Sequence, residues 1–358
     1  MDVDVAIVGG GPAGCAAALA LRRLGRSTTI IAAPSRRAKP TETAVPALAR
    51  LLQSLGAVEA LRACEPCYGI SSGWGRKLPA LQSSITDPLG HGWFIHRTRF
   101  DSYLRQAACD AGAIWIQEQA RSVEFDPDGV FIGTSGQPVY ARSVVVATGS
   151  PSWPARMTQQ KPSSMDSLIV FWAHIPAPLE QRLLFVEPTD CGWWYVCPAD
   201  DRGAMACFVT DLLSARALSL TQPSAWNKLF QATKLFQQFE GNPSAESVHV
   251  ALTDLSALPQ KHGLRWIAVG DAAAKLDPLG SSGTATALDS GQRAAAAVAD
   301  ALQGNTASAE RYGRWITGLV DEFTKQRARH YAMETSRRVG LFWSRRFPWT
   351  TVSVKQAA

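Results

Sequence analysis

The sequence predicts an α/β fold: a Rossmann-like domain, an interleaved domain built on a mostly antiparallel β-sheet, and a C-terminal helical region. Three observations support this fold class. An apolar segment near the N-terminus leads into a glycine-rich turn and a helical stretch, strand-like segments follow one another through the middle of the chain, and a long alanine-rich helix begins after residue 283. Strands that alternate with helices are typical of parallel sheets, whereas strands joined by turns are typical of antiparallel ones.

Composition sets limits on class and compartment. The chain has 358 residues, 46% of them hydrophobic, which suffices for one large α/β domain with a smaller inserted domain. No apolar run approaches the roughly 18 residues that span a bilayer, and the first residues lack the basic segment and cleavage site of a signal peptide. Seven scattered cysteines suit a reducing compartment better than a disulfide framework. We therefore expect a cytoplasmic protein without a membrane span.

The first element is a strand, a glycine turn and a helix. Segment 3–8 is largely apolar, as in a strand buried on both faces of a parallel sheet. The turn carries G-x-G-x-x-G spacing and the first helical residues: Gly9, Gly11, Pro12, Ala13 and Gly14. In this context the first glycine permits the turn, the second lets the backbone approach a diphosphate, and the third lets the helix pack on the strand. A dinucleotide site is therefore predicted, with the diphosphate at the helix N-terminus.

The end of the second strand departs from the usual dinucleotide pattern. Ala32 and Ala33 stand where an acid normally binds the adenosine ribose, and Arg36 and Arg37 follow. Taken alone, this pattern favours NADP, whose 2′-phosphate an arginine can bind. The nucleotide must therefore be identified from another part of the chain.

The segment AVGDAAAKLDPLGSSG, residues 268–283, supplies that identification. A strand precedes its Gly-Asp pair and a helix follows its glycine turn, so backbone N–H groups at the start of that helix can stabilise negative charge on a bound group. The segment resembles the second fingerprint of the FAD-dependent hydroxylase superfamily, which includes aromatic hydroxylases and flavin-dependent halogenases. The resemblance implies FAD, with Asp271 at its ribityl and diphosphate region. The FAD-binding residues predicted here are Gly270, Asp271, Pro278, Gly280, Ser281, Ser282 and Gly283.

Two shorter segments resemble the same superfamily. KPTETAVPALARLLQSLG, residues 39–56, keeps Glu42 and Pro46 of its G-E-[ST]-x-x-P element, while Thr41 replaces the glycine. HRTRFDSYLRQAA, residues 96–108, resembles its R-x-x-F-D-x-x-L helix, which implies that Arg97 reaches toward the cofactor. The alternative for Arg97 is a surface position at the start of a helix. Glu42 and Arg97 complete the predicted FAD site.

The resemblance also implies an aromatic-hydroxylase domain plan. The FAD-binding domain is predicted at 1–75, 95–160 and 262–305, the substrate domain at 76–94 and 161–261, and the basic helical region at 306–358. Within this plan we expect helices at 45–55 and 100–111, a hairpin at 123–132, a strand at 143–147 and a crossover at 153–166.

A narrower resemblance covers residues 1–345. The segments WGRKLPALQSSITDPLGHGWFIHR, GWWYVCPADDRGAMACFVTD and DPLGSSG resemble small flavoproteins that mature tryptophylquinone cofactors. The resemblance implies a monooxygenase that hydroxylates a tryptophan of a partner, a quinoprotein precursor, with O₂ as cosubstrate and NAD(P)H or a separate flavin reductase as electron source. We expect Trp193, Trp194 and Tyr195 to line the substrate pocket. Strand alternation puts Trp194 opposite the other two, so at least one of the three is expected in the core.

Two alternatives to this function stay open. One is a hydroxylase, or a halogenase, that acts on a free small aromatic molecule. Halogenation is disfavoured because residues 67–75 lack the lysine of that family, Lys77 lies beyond the matching position, and Tyr195 and Cys197 replace residues of its W-x-W-x-I-P motif. The other is a flavin-binding maturation factor without turnover.

The remaining charged and metal-ligating residues support few assignments. Between residues 311 and 358 there are ten Lys or Arg against three acids, and the segment RRVGLFWSRR, residues 337–346, is expected to help dock the protein partner or else to be a solvated helix end. No nucleic-acid motif accompanies this charge. Six histidines show no recognisable pairing, and a lone C-x-x-C at Cys64 and Cys67 is more typical of free thiols than of a metal pair. We therefore predict no metal site and assign no catalytic base.

Overall fold

The structure, a computed structural model, describes residues 2–34, 39–76, 78–199, 203–240, 243–337 and 340–346. The strands in this part of the chain are β1 (Asp2–Val8), β2 (Thr28–Ile31), β3 (Glu42–Ala44), β4 (Cys64–Cys67), β5 (Gly69–Ser72), β6 (Ala80–Ser83), β7 (Gly92–Ile95), β8 (Ile114–Ile116), β9 (Ala120–Phe125), β10 (Val130–Thr134), β11 (Val139–Val146), β12 (Ser163–Asp166), β13 (Ile169–Ile175), β14 (Leu184–Thr189), β15 (Gly192–Pro198), β16 (Ala204–Thr210), β17 (His249–Leu252), β18 (Leu255–Ala257), β19 (His262–Gly263), β20 (Trp266–Ala268) and β21 (Ala274–Lys275). The helices are α1 (Pro12–Arg23), α2 (Leu48–Leu55), α3 (Arg97–Asp110), α4 (Ser152–Thr158), α5 (Leu212–Ala217), α6 (Pro223–Gln231), α7 (Gly283–Ala301), α8 (Ala307–Ala332) and α9 (Leu341–Ser344).

The first sheet has the strand order β19-β20-β11-β1-β2-β8, with the β9–β10 hairpin attached to β11. β1 pairs in parallel with both β2 and β11, and helix α1 makes the crossover from β1 to β2. Residues 5–8 of β1 are buried, as expected for a central strand covered on both faces. Helix α7 lies directly against α1. The two helices are so close at Gly291 that a Cβ there would come within 2.3 Å of the Ala13 carbonyl oxygen. The predicted Rossmann-like fold is confirmed.

The second large sheet has the order β17-β13-β16-β15-β14-β5-β6 and is antiparallel except for the β14–β5 pair. One face packs on α6 through an aromatic core that contains Trp194, Phe208, Trp226 and Phe230. The opposite face carries Trp193 and Tyr195. The β12-β18-β21 and β3-β7-β4 sheets are smaller and have three strands each.

The predicted domain boundaries stay a prediction, but two strands near them pair across the predicted limits. Residues 1–75 were assigned to the FAD-binding domain, but β5 lies in the second sheet, where Ile70 pairs with Leu184 of β14. Residues 76–94 were assigned to the substrate domain, but β7 pairs with β3 and β4. Both strands are placed by partners distant in the sequence, which local patterns do not reveal. The predicted crossover at 153–166 contains α4 and β12.

The C-terminal region packs on the rest of the chain. Tyr312, Ile316 and Val320 form the buried stripe of α8, and the Tyr312 hydroxyl donates to the Ala268 carbonyl oxygen at 2.7 Å. Within the described ranges, no helix combines the length and apolarity that a membrane crossing requires. In the described part of the chain, no three His, Cys, Asp or Glu side chains are grouped so as to hold a metal ion. The seven cysteines are free thiols.

Candidate functional site

A cavity of about 1170 Å³ lies where the two large sheets meet. Its walls include the carboxyl ends of parallel strands, at Val8 of β1, Ile31 of β2 and Ala147 after β11. Ligands of open α/β sheets bind at this edge. The volume exceeds the roughly 300–1,000 Å³ that is usual for a small-molecule site, so the cavity has room for a dinucleotide together with part of a substrate.

The glycine turn forms one wall of the cavity. Gly9 has φ of +113°, and a Cβ there would come within 2.1 Å of the Ala147 carbonyl oxygen. A Cβ on Gly14 would come within 2.0 Å of the Gly9 carbonyl oxygen, so this glycine is required for the helix to pack on the turn. A Cβ on Gly11, by contrast, would meet no protein atom within 4 Å. Gly11 caps α1, and Pro12 and Ala13 follow it along the cavity wall.

This geometry fits a diphosphate. The first N–H groups of a helix lack partners within the helix and carry partial positive charge. At Gly11 the side-chain space in front of them is open to the cavity, so a phosphate can approach the backbone closely. The residues predicted from G-x-G-x-x-G spacing therefore lie together in a cradle that a single methyl group would fill.

The 270–283 segment forms a second wall. Gly270, with φ of +56°, donates its N–H to Ser290 Oγ at 2.8 Å, which anchors the turn to α7. The Asp277 carboxylate accepts from the N–H of Leu279 at 3.1 Å and caps the short 3-10 helix Pro278–Gly280. Ser281 adopts a left-handed conformation, and its hydroxyl lies 2.6 Å from that of Thr43. Gly283 opens α7 with free space where a side chain would be.

Of the predicted residues of this second wall, Asp271, Pro278, Gly280, Ser281 and Gly283 border the cavity. Gly270 and Ser282 act instead on the path of the backbone, as the turn before Asp271 and the N-cap of α7. Two helix N-termini, those of α1 and α7, thus face the same cavity. An elongated anion that spans both, such as FAD, fits this arrangement.

Burial raises the pKa of the Asp271 carboxyl to about 6, with Lys275 and Arg97 opposing the shift and Glu42 adding to it. A carboxyl group with a raised pKa is one whose charge the surrounding protein solvates incompletely. The sugar-chain hydroxyls of a bound flavin nucleotide would supply hydrogen-bond donors to it. The position and electrostatics of Asp271 therefore fit the role that the sequence resemblance implies.

A charged network links β3, α3 and α7 beside Asp271. The Arg97 guanidinium donates to Glu42 and forms two bonds with Asp101, at 3.1 and 3.2 Å. Asp101 also pairs with Lys39, and Glu42 accepts from the Thr284 hydroxyl at 2.9 Å. Glu42 and Arg97 both border the cavity. Arg97 is thus held in place by two carboxylates at the cavity wall and is not a surface residue.

The nucleotide end of the cavity keeps the departure seen in the sequence. Ala32 and Ala33 line the cavity, while Arg36 and Arg37 lie outside the described residues. The Trp115 ring covers Gly10, where a Cβ would come within 2.2 Å of it, and the Arg105 guanidinium lies 4.5 Å from the ring centroid. An indole–guanidinium stack therefore borders this part of the turn.

The far end of the cavity is aromatic. Trp193 and Tyr195 line it from β15, and the Trp193 indole N–H donates to the Tyr331 hydroxyl at 3.0 Å. Trp194 points to the opposite face of the sheet, where its ring centroid lies 5.0 Å from that of Trp226. The prediction that Trp194 lines the pocket is therefore wrong, because strand alternation directs its side chain into the core.

One cavity residue, His330, was not predicted from the sequence. This residue of α8 lines the cavity, and its ring centroid lies 4.5 Å from that of Trp74, whose own indole N–H donates to the His330 carbonyl oxygen. Burial lowers the pKa of the His330 imidazole and so favours its neutral form, an effect that Asp277 partly opposes. Phe323, Arg327 and His330 follow the apolar stripe of α8 at helical spacing, so they lie on the same face of the helix. The change from apolar to polar residues along this face is the sequence feature that could have indicated His330.

The described arginines of the 337–346 segment are paired within the chain. Arg346 is buried and bonds to Asp166 and Asp211, each at 3.0 Å. Arg345 pairs with Asp211, and Arg337 with Glu334. These ion pairs hold the segment against the rest of the chain. The three arginines therefore do not support the predicted role of the segment in docking a partner. Lys77 lies outside the described residues.

Comparison with known proteins identifies the class. Residues 3–167 match the family of pyridine nucleotide-disulphide oxidoreductases. A protein of Marinomonas mediterranea, named "Putative FAD-dependent oxidoreductase LodB", is 26% identical over 368 aligned positions that cover 98% of each chain. The chain is an FAD-dependent oxidoreductase.

Solved structures share the fold of this flavoprotein. The peptidyl tryptophan dihydroxylase QhpG, described as essential for tryptophylquinone cofactor biogenesis, superposes with a TM-score of 0.80 at 24% identity, over 97% of this chain and 79% of QhpG. The myxobacterial chondrochloren halogenase CndH superposes with a TM-score of 0.88 at 19% identity, over 99% of this chain and 88% of the halogenase. At these identities the likeness shows the fold alone, and this fold is found in hydroxylases and halogenases alike.

Proposed function

We propose that the flavoprotein is a monooxygenase that hydroxylates a tryptophan side chain of a partner protein, a quinoprotein precursor, during tryptophylquinone biogenesis. The observation that carries the proposal is the composition of the cavity. At one end of the cavity lie two helix N-termini suited to FAD, and at the other end lies an aromatic wall formed by Trp193, Tyr195 and His330. QhpG, a fold relative, acts on a peptidyl tryptophan according to its own description, which supports the same substrate class.

The residues of this chain would hold FAD at three places. The turn at Gly9, Gly11, Pro12, Ala13 and Gly14 would bind the diphosphate through backbone N–H groups, while Asp271 would accept hydrogen bonds from the sugar chain. The 278–283 turn and the N-terminus of α7 would lie beside the flavin, where the helix dipole would stabilise negative charge. When bound and reduced by NAD(P)H or a flavin reductase, FAD supplies the redox chemistry with O₂. Thr43 and Glu42 of β3 bond to Ser281 and Thr284, and this links the turn to β3. Arg97 donates in turn to Glu42 and holds that carboxylate in place.

The aromatic wall orients the substrate ring. Trp193 is fixed by its hydrogen bond to Tyr331 and by edge packing on Trp74, with the two ring centroids 5.9 Å apart. A substrate indole that packs on the Trp193 ring would adopt an offset or edge-on arrangement, and the aromatic wall would exclude water from it. The neutral His330 imidazole can accept the proton that leaves the ring carbon when oxygen is added.

A specific finding also disfavours the halogenase alternative. The described lysines that border the cavity are Lys39 and Lys275. Lys39 pairs with Asp101, whereas Lys275 pairs with Asp254 and donates to the Leu252 carbonyl oxygen. Both ammonium groups are thus engaged in bonds within the chain.

The test is mass spectrometry of a quinoprotein precursor incubated with the flavoprotein, FAD, NADH, a flavin reductase and O₂. We expect the mass of one or more oxygen atoms on a peptide that contains tryptophan, and none when that tryptophan is replaced by phenylalanine. If NADH oxidation is instead stimulated by a free aromatic molecule in the absence of precursor, the small-molecule hydroxylase is correct. Tight flavin binding with no oxygen incorporated into either substrate would indicate a maturation factor without turnover.

A further inference from the structure

One edge of the second sheet is open beside the cavity. Strand β6 (Ala80–Ser83) is terminal in the strand order, and among the described residues it pairs with β5 alone. Opposite residues are Ile70 with Gln82 and Ser72 with Ala80. The N–H of Ser84 donates to the Tyr68 carbonyl oxygen at 2.9 Å, which sets the alternation of the antiparallel ladder. The backbone N–H and C=O groups of Leu81 and Ser83 therefore point away from β5.

The surface around this edge is apolar. Several large hydrophobic side chains are exposed here: Tyr68 53%, Leu78 75%, Leu81 60%, Ile85 89% and Leu89 40%. Between residues 78 and 90 the one charged side chain is that of Asp87. Exposed edges of monomeric proteins are normally protected by charges that prevent pairing with another strand. This edge carries little of that protection.

The opposite edge of the same sheet is protected. Strand β17 (His249–Leu252) is also terminal, and Val250 and Leu252 are exposed there as well. There, however, the Lys275 ammonium donates to the Leu252 carbonyl oxygen at 2.5 Å and pairs with Asp254 at 3.2 Å. A lysine on the edge is a known means of blocking strand addition. The two ends of one sheet thus differ in the feature that decides whether another strand can pair.

The open edge is continuous with the cavity. Six residues of β6 and the turn that follows line the cavity: Gln82, Ser83, Ser84, Thr86, Asp87 and Pro88. A chain added to β6 would therefore run along the cavity entrance. Because side chains of an extended strand alternate between its two faces, every second residue of that chain would be directed to one side. One such side chain can enter the cavity while its neighbours contact the exposed leucines.

We infer that β6 binds an extended, uncharged segment of the protein substrate as an additional antiparallel or parallel strand, which presents its tryptophan to the cavity. This inference rests on the proposed function, since it names the surface that binds the same protein substrate. Only a polypeptide can satisfy a row of alternating backbone donors and acceptors, and such pairing gives affinity while side-chain pockets give specificity. A free small aromatic molecule would enter the cavity without using this edge.

The probe is an acetylated and amidated peptide of about ten residues that alternates valine and threonine around one central tryptophan, a length that suits a single strand. Its binding is measured by the anisotropy of a fluorophore that takes the place of the N-terminal acetyl group. We expect Leu81→Lys to weaken binding by about tenfold or more, because a charge on the strand blocks pairing. N-methylation of alternate peptide amides should weaken binding by about thirtyfold, since it removes two or more ladder bonds. Leu264→Lys, at an exposed leucine in the β19–β20 turn, is the matched control and should bind the peptide normally.

Hydrogen exchange supplies a second readout. The amides of Leu81 and Ser83 should exchange rapidly in the free protein and become protected when the peptide binds, whereas the Gln82 amide is protected in both states. Unchanged melting temperature and FAD content of Leu81→Lys exclude a folding defect. The docking inference is overturned if the wild type does not bind the peptide, if N-methylation and Leu81→Lys leave binding unchanged, or if no new protection appears on β6. Failure of the proposed function is distinct: the peptide would bind at β6, yet its tryptophan and that of the precursor would gain no oxygen.

Discussion

A single methyl group at Gly11 should separate FAD binding from folding. Gly11 has φ of −80° and ψ of −173°, which alanine adopts without strain, and a Cβ there meets no protein atom within 4 Å. The reduced freedom of the unfolded chain stabilises Gly11→Ala by about 0.4–1 kcal/mol. Alanine is a poorer N-cap than glycine by a similar amount. The free energy of unfolding of the apoprotein should therefore change by less than about 0.5 kcal/mol.

The effect on FAD should be much larger. The added methyl group projects into the space from which a diphosphate reaches the first N–H groups of α1. Loss of one to two hydrogen bonds to a charged group costs about 2–4 kcal/mol. That range corresponds to a dissociation constant for FAD that is about 30- to 1,000-fold higher. Titration followed by flavin fluorescence gives this constant, and thermal unfolding followed by circular dichroism gives the stability of the apoprotein.

Two further glycines calibrate the experiment. Gly14→Ala puts a methyl group within 2.0 Å of the Gly9 carbonyl oxygen, so this variant should lose stability as well as FAD. Gly318→Ala lies on the exposed side of α8 with free space around it, so it should bind FAD normally and be stabilised by up to about 1 kcal/mol. Normal FAD affinity in Gly11→Ala would falsify the assignment of the diphosphate to this turn. A loss of stability equal to that of Gly14→Ala would show that the turn is packed differently.

Three further predictions concern charged and titratable groups. Because burial raises the pKa of Asp271 to about 6, its contribution to apoprotein stability is present at pH below 4 and lost as the pH rises through 6. Asp271→Asn should therefore stabilise the apoprotein at pH 8 by at most about 3 kcal/mol and leave it unchanged at pH 4, as measured by urea unfolding. The same substitution should weaken FAD binding, as measured by titration. The pKa of His330 is lowered by burial, so the acid limb of the kcat/KM profile for precursor oxygenation should lie below pH 6.5; if His330→Gln leaves that limb in place, His330 does not accept the proton. A lysine at position 97 cannot keep both bonds to Asp101 together with the bond to Glu42, so Arg97→Lys should lower the unfolding free energy by about 1–3 kcal/mol. Arg62→Lys, at an exposed pair with Glu59, should change it by less than about 0.5 kcal/mol. Equal effects of these two substitutions would refute a special role for the Arg97 network.

Much of the FAD site could be predicted from sequence because its chemistry depends on local backbone geometry. The strand, turn and helix at Asp2–Val8 and Pro12–Arg23 lie where spacing predicts them, and so does the 270–283 turn before α7. In both places, glycines stand where a Cβ would meet the backbone or fill the cavity. Such steric requirements act over a few residues, so they leave a short and readable pattern. The β9–β10 hairpin around D-P-D-G is predicted for the same reason.

The aromatic end of the cavity depends on pairings that no short segment encodes. Periodicity states that Trp194 is opposite Trp193 and Tyr195, but only the packing of α6 on one face shows which side is core. His330 reaches the cavity because α8 crosses behind Trp74, which is distant from it in the sequence. Strand β5 enters the second sheet through its register with β14.

The sequence by itself thus predicted a dinucleotide site at the first glycine turn, since local sterics and helix termini require particular residues at fixed spacing. The resemblance of the 268–283 segment to FAD-dependent hydroxylases added the prediction that the dinucleotide is FAD. The tertiary structure decided which aromatic side chains border the cavity, that Arg345 and Arg346 are bound within the chain, and that one sheet edge stays open. These features depend on which distant strands and helices meet. A one-residue change of register would reverse each strand's faces without altering its local pattern.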